Sequence, residues 1–128
     1  MINWIYLLKT VRVLMVYFIS TIGLLILSNV FMTYAWFGHL KDFSKSPLWM
    51  VILLSWLIAG LEYIFLIPAT RIGFFQAHLN LTQHKILQEL ITLAVFIPFS
   101  FYYMGHPLTL NYLYAGLCLM GAVYFIFK

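Results

Sequence analysis

The sequence predicts an all-α membrane protein with four transmembrane helices, and three observations lead to that fold class. The chain of 128 residues is 65% hydrophobic and only 8% charged, whereas about 25% of the residues of a soluble domain are charged. Four apolar runs each approach the length of about 20 residues that a helix needs to cross a bilayer. A backbone in lipid must satisfy its own hydrogen bonds, so these runs are expected to be helices.

The four helices are predicted at about residues 13–37, 47–70, 85–104 and 109–127 of a single domain. The first run is longer than the apolar core of a signal peptide, about 7–15 residues, so we expect it to be retained. Residues 1–12 are predicted to form a possible interfacial extension, and Met15 is an equally good candidate for the initiator.

Prolines and polar connections mark where the predicted helices begin, bend and end. Pro47 suits the first turn of the second helix. Pro98 removes a backbone donor and is expected to kink the third helix. The connection 71–84 mixes polar and aromatic residues, so part of it is expected to lie in the membrane interface.

Basic residues are spread over the loops and termini, and they predict the orientation. With four spans, both termini share a side with the connection 71–84. That side carries Lys9, Arg12, Arg71, Lys85 and Lys128, against Lys41 and Lys45 on the other. The positive-inside rule favours both termini in the cytoplasm of a cell inner (plasma) membrane. If translation starts at Met15, the bias weakens to three against two and permits both orientations. A clustered basic face is missing from the sequence, so nucleic acid is not an expected partner.

Glu62 lies within the second apolar run, where an ionisable group costs about 2.5–3.5 kcal/mol on insertion scales. Small residues share its predicted helix face, so another helix or a ligand can approach it. That face holds Ser55, Ala59, Glu62, Leu66 and Ala69. One interpretation is that Glu62 pairs with Arg71 or Lys85 of the same or a neighbouring subunit. The other is that it carries protons for transport, the default for an intramembrane carboxylate.

The third run begins with a polar stripe of Lys85, Gln88, Glu89 and Thr92. Lys85 and Glu89 are four residues apart, the spacing of a helical ion pair. Antiparallel packing of helices two and three would bring Glu62 and Glu89 to similar depth. Two carboxyl groups at like depth repel when both are ionised, an arrangement that suits coupling of proton loss to cation binding.

The remaining polar and small residues give two further hypotheses. Asn29 and Thr33 share a face of the first helix and predict either an interhelical hydrogen bond or a ligand contact. The residues expected to line a substrate site are Asn29, Thr33, Tyr63, Gln88 and Thr92. In the fourth helix, a stripe of small residues predicts close packing, either within the subunit or in a dimer. It consists of Ala115, Gly116, Gly121 and Ala122.

Other kinds of site find little support in the sequence. His78, His84 and Glu89 match no recurrent metal-ligand spacing, so no metal is expected. Cys118 stands alone in an apolar run. The sequence shows no nucleophile–base set, redox pair or glycine-rich phosphate loop, so we expect neither a cofactor nor enzymatic activity.

Several motifs resemble a family of short bacterial proteins labelled "DMT family protein", in the drug/metabolite transporter superfamily. The resemblance runs from about Ile22 to Phe127. Its motifs are Leu27-Ser-Asn29-Val-Phe-Met-Thr33-Tyr-Ala-Trp36-Phe-Gly38-His39-Leu-Lys41, Ser55-Trp56, Glu62-Tyr63, Pro68-Ala-Thr-Arg71-Ile-Gly73 and Gln88-Glu89-Leu-Ile-Thr92.

The resemblance implies a shape similar to the small multidrug resistance proteins. Those are four-helix subunits that work as homodimers, often antiparallel, with a proton-coupled glutamate in the first helix. Asn29 stands at the comparable position here, so a coupling acid would have moved to Glu62 or Glu89.

The function that follows is a small secondary transporter of a bacterial inner membrane. It is expected to work as a homodimer in lipid, exchanging a small cationic or polar metabolite for protons. The alternative is a non-transporting accessory subunit whose polar stripes bond to partner helices.

Overall fold

The computed structural model describes residues 3–128, and every regular element in that range is helical. Four helices are long and apolar enough to cross a membrane. They are α1, Trp4–Asp42; α2, Leu48–Gln76; α3, Leu81–Tyr103; and α4, Leu110–Phe127. The predicted all-α, four-helix, multi-pass membrane protein is therefore confirmed.

The first helix, α1, is the centre of the bundle. It packs against α2 and α3, while α4 packs on α3. The buried apolar core lies among the first three helices and the α2–α3 connection, formed by Leu25, Ala69, Leu79, Leu87 and Ile91. No residue of α4, all of which is described, is buried. The bundle is thus a packed three-helix unit with a peripheral fourth helix that packs on α3.

Helix α1 begins well before the predicted start near residue 13. The side chain of Asn3 accepts a hydrogen bond from the N–H of Ile5 at 3.2 Å and caps the helix. Within the predicted interfacial extension, 1–12, residues 4–12 are the first turns of α1 itself, while residues 1 and 2 lie outside the described range. A helix of 39 residues is about 58 Å long at 1.5 Å per residue, against about 30 Å of hydrocarbon. The N-terminal turns therefore have length to spare beyond a single bilayer crossing.

Helices α2 and α3 end in the same way. Each closes with a π turn, Ile72–Gln76 in α2 and Phe99–Tyr103 in α3. A residue with positive φ follows, and the next N–H bonds back to a carbonyl six residues earlier, one residue farther than in a Schellman motif. The positive-φ residues are His78 (57°) and Gly105 (73°). The closing bonds are Leu79 to Gly73 at 2.9 Å and His106 to Ser100 at 3.0 Å.

The start of α3 is set by a reciprocal cap. The N–H of Gln83 donates to Asn80 Oδ1 at 2.8 Å, and the N–H of Asn80 donates to Gln83 Oε1 at 3.1 Å. This capping box starts the helix at Leu81 instead of the predicted residue 85. The predicted long connection 71–84 therefore shrinks to residues 77–80. At the other end of α3, the change from α to π geometry follows directly after Pro98.

Candidate functional site

A polar layer crosses the interior of the bundle at the middle of α1. Ser28 and Asn29 are consecutive, so their side chains point about 100° apart around the helix. The hydroxyl of Ser28 donates to Glu62 Oε1 on α2 at 3.1 Å. On the α3 side, Thr92 Oγ1 lies 2.6 Å from Asn29 Oδ1. One short segment of α1 therefore connects polar groups on both neighbouring helices.

Glu62 is buried, with only 5% of its surface exposed. Its hydrogen-bond partner in the described chain is Ser28. The predicted pairing of Glu62 with Arg71 or Lys85 is wrong within the subunit. Lys85 pairs with Glu89 instead, and the guanidinium of Arg71 lies over the ring of Phe75, 5.4 Å from its centre.

Asn29 is held by two neighbours. Its Nδ2 donates to the carbonyl of Leu25 at 2.8 Å, which leaves Oδ1 directed at Thr92. The Thr92 hydroxyl also lies 2.8 Å from the carbonyl of Gln88, one turn earlier. Because a hydroxyl carries one proton, Thr92 donates to one of these two oxygens at a time. This is the interhelical hydrogen bond that the sequence allowed as one of two interpretations.

A groove of about 310 Å³ opens beside this link, between α1, α3 and α4. Its polar groups are Glu89 and the hydroxyls of Thr33 and Thr92. Its other lining residues are apolar or aromatic: Met32, Trp36, Phe37, Leu93, Phe96 and Leu119. An apolar cleft with a few convergent polar groups is the usual form of a small-molecule site.

Glu89 is the charged group of the groove, and Lys85 Nζ lies 2.6 Å from its Oε1. The two side chains are 45% and 64% exposed. Because both side chains are partly exposed, another cation can reach the carboxylate from the groove.

Glu62 and Glu89 lie on the two helices that flank α1, α2 and α3, at similar height. Glu62 is level with Ser28, and Glu89 is one turn before Thr92, which is level with Asn29. At 1.5 Å per residue, the two carboxyl groups differ in depth by about one helical turn or less. The contacts agree with the similar depth expected from antiparallel packing.

Other predicted residues lie away from the groove. Tyr63 is 56% exposed on the outer face of α2, beside Trp56 and Gly60. Gln88 is half-buried and takes part through its backbone carbonyl. On α4, a Cβ added to Gly116 or Gly121 would meet no atom within 4 Å, while Ala115 is exposed and Ala122 half-buried. Close packing inside the subunit therefore does not explain these two glycines.

Sequence reasoning missed a buried junction of the three core helices. His84 is 5% exposed, and its Nε2 lies 3.2 Å from Thr70 Oγ1. Its Nδ1 has no hydrogen-bond partner among residues 3–128. A Cβ at Gly73 would lie 2.9 Å from that atom and 3.1 Å from Thr21 Cγ2. The i, i+3, i+7 spacing of His84, Leu87 and Ile91, all buried, was the available signal.

A second missed cluster joins the ends of α1 and α3. Tyr34 OH donates to Asp42 Oδ2 at 2.7 Å, and Tyr103 OH donates to the same oxygen. Lys41 Nζ donates to the carbonyl of Tyr103 at 2.7 Å. The ring of Tyr34 crosses the backbone at Gly38, where a Cβ would lie 2.7 Å from it. The cluster fixes α1 to α3 at one end of the groove.

The fold and this polar layer define a class: multi-pass membrane proteins of four helices with a buried carboxyl group between the helices. The family model DMT_6, described as "Putative member of DMT superfamily (DUF486)", matches residues 21–127. The chain belongs to this family, as its motifs predicted. Comparisons with curated proteins and with solved structures gave no match.

Proposed function

We propose that the protein is a small secondary transporter of a bacterial inner membrane that exchanges a small organic cation for protons. Membership of the DMT superfamily supports transport as the general activity. The observation that carries the finer proposal is the polar layer. In it, consecutive residues of α1 bond to a buried carboxyl on α2 and to a hydroxyl at the wall of the groove on α3.

The chemistry of the groove supports an amine with an apolar body as substrate. Glu89 supplies a negative charge, and the hydroxyls of Thr33 and Thr92 supply hydrogen bonds. The rings of Phe37 and Phe96 pack edge to face, with their centres 5.3 Å apart. Aromatic faces attract cations by about 0.5–2 kcal/mol, depending on how far the cation is desolvated.

Coupling follows from the two bonds made by α1. A cation that binds Glu89 displaces Lys85 and presses on the wall formed by Thr33 and Thr92. Any shift of α1 that accommodates it also moves Ser28, the partner of Glu62. The proposal assigns substrate binding to Glu89 and proton exchange to Glu62. A two-state movement of α1 links them, because only a group with different contacts in two states can couple two sites.

The test is proton movement into liposomes that contain the purified protein, challenged with a panel of small amines. The wild-type protein is expected to move protons in response to at least one amine. Glu89→Gln is expected to abolish that response, because the amide keeps the shape but loses the charge. Lys85→Gln is expected to strengthen binding of the same amine, because it removes the cation that now occupies Glu89.

Two outcomes would overturn the assignment. If Lys85→Gln weakens amine binding as much as Glu89→Gln does, the ion pair is structural and the groove is not the site. If the folded wild-type protein moves protons in response to none of the amines in the panel, the accessory-subunit alternative is favoured. The broad exposed face of α4 is the observation that favours that alternative.

The transporter is proposed to be a homodimer, with the open face of α4 as a contact. Four helices of this length enclose little space, so a path across the membrane needs a second copy. The open space beside Gly116 and Gly121 leaves room for close approach of another helix. Opposite orientations of the paired subunits are proposed for a chain that starts at Met15, because its charge bias of three against two permits both insertions.

Replacing both Gly116 and Gly121 by leucine is expected to weaken the dimer about tenfold, equivalent to about 1.4 kcal/mol. The monomer is expected to fold normally, because a Cβ at either position would meet no atom within 4 Å. Energy transfer between labelled copies in liposomes measures the association. Gly60→Leu is the matched control, since Gly60 is also open but lies on α2. If the double variant and the wild type dimerise equally, the face of α4 that holds these glycines is not the dimer contact.

A further inference from the structure

A second groove, of about 550 Å³, lies at the opposite end of the core from Asp42. One wall is a single face of the first turns of α1, with residues three or four apart. The other wall is the end of α2 and the short connection that follows it. The polar side chains on the two walls are Tyr6, Lys9, Thr10, Tyr17, Gln76 and His78.

The groove is basic, and no acidic residue balances it. The three acidic residues of the chain lie elsewhere: Asp42 at the far end, and Glu62 and Glu89 in the polar layer. The salt bridge between Lys85 and Glu89 is the only one in the described range, 3–128. Lys9 therefore faces the groove with no acidic residue beside it, and His78 adds an imidazole at the rim.

His78 stands in a backbone conformation that a glycine adopts more easily. Its φ is 57°, and the equivalent position at the end of α3 is Gly105, with a φ of 73°. Both residues only need to turn the chain after a π turn, so glycine would serve in both places. A histidine at this position keeps an imidazole at the rim of the groove despite the strained backbone. A strained residue of this kind is a reason to look for a function.

We propose that this groove binds the headgroup of an anionic glycerophospholipid. The phosphate lies between Lys9 Nζ and the imidazole of His78, within reach of the amide of Gln76. The acyl chains lie along Val13 and Leu14, which line the lower part of the groove. We place the membrane surface at the end of α2, which puts the groove at headgroup depth. Extra turns of α1 beyond that surface supply the second wall.

A lipid is favoured over a free anion by the form of the groove. Its basic groups stand above apolar side chains and beside the aromatic rings of Tyr6 and Tyr17, the residue type that collects at membrane interfaces. Basic residues next to a membrane attract anionic lipids. The inference stands apart from the proposed transport activity, because none of these residues lines the groove of Glu89.

The experiment measures phosphatidylglycerol retained by the purified full-length protein, by native mass spectrometry during titration of the lipid. The wild-type protein is expected to retain one phosphatidylglycerol in preference to phosphatidylcholine. Lys9→Gln is expected to weaken retention about fivefold, the effect of one basic residue near a membrane surface. His78→Gly is expected to weaken it as well, while the thermal stability stays the same or rises because the backbone strain is relieved.

Lys45→Gln is the matched control, since it removes the same charge from the opposite side of the membrane. Equal loss of lipid in Lys45→Gln and Lys9→Gln would show a general charge effect and overturn the proposal. Unchanged retention in His78→Gly would do the same. Displacement of the lipid by millimolar inorganic phosphate would identify a site for free anions and rule out the lipid.

Discussion

Glu62→Gln is expected to abolish amine-driven proton movement while the protein still folds and inserts. The amide keeps an oxygen that can accept the hydrogen bond from Ser28, which now spans 3.1 Å. It has no proton to exchange, so the coupled flux is expected to fall to the level of protein-free liposomes. Binding of the amine, measured by calorimetry in detergent, is expected to persist because Glu89 is intact. Loss of flux with retained binding separates the proton group from the substrate group.

Ser28→Ala is the control for Glu62→Gln. It removes the hydrogen bond and keeps the carboxyl, so amine-driven flux is expected to remain. The stability cost is expected to be small, because hydrogen bonds between membrane helices average about 0.6 kcal/mol. Full flux in Glu62→Gln would contradict the assignment and leave Glu89 as the single coupling acid. Loss of both flux and folding in Glu62→Gln would point to a structural carboxyl instead.

Gly73→Ala is expected to destabilise the bundle by about 1–3 kcal/mol, the range for overpacked cores. The added methyl would lie 2.9 Å from His84 Nδ1 and 3.1 Å from Thr21 Cγ2. His84 cannot move aside easily, because it is buried and its other nitrogen contacts Thr70. The junction joins all three core helices, so strain there loosens the whole core.

The measurement for Gly73→Ala is unfolding of the purified protein in mixed micelles by increasing denaturing detergent. Gly60→Ala is the matched control in the same helix, since its Cβ would meet no atom within 4 Å. It is expected to leave stability unchanged or to raise it slightly. If both variants unfold at the same concentration of denaturing detergent, the close approach at Gly73 does not require a glycine.

Asn29 joins α1 to α3 inside the bundle. Its amide group bonds to Leu25 on its own helix and to Thr92 on α3. With one bond inside its own helix and one bond to α3, Asn29 positions α1 against α3. The acidic groups stand on either side of it, on α2 and α3, which is why proton exchange is proposed at Glu62.

Much of this fold follows from the sequence alone. Hydrophobic runs separated by polar connections set the number of spans, because the bilayer fixes the length of an apolar helix. The ion pair of Lys85 with Glu89 follows from helical spacing, and so does the common buried face of Asn29 and Thr33. The family follows from the motifs around Asn29, Glu62 and Glu89, and the matched family model confirms it.

The sequence also contains signals for where the helices begin. Asn80 and Gln83 have the spacing of a capping box, which places the start of α3. The first turns of α1 contain neither glycine nor proline, so nothing in them stops the helix near residue 13. Helix ends in membrane proteins are hard to place because apolar residues continue past them into the interface.

Only the tertiary structure decided which helix each polar side chain faces. A helix that is apolar all round gives no preferred side, so the sequence allowed Glu62 to meet Arg71 or Lys85. The packing gave it Ser28 instead. Tyr63 shows the same limit, since one step around α2 from the buried Glu62 turns it to the outer face. In lipid, hydrophobicity sets how many helices cross, and close packing of side chains sets which residues meet.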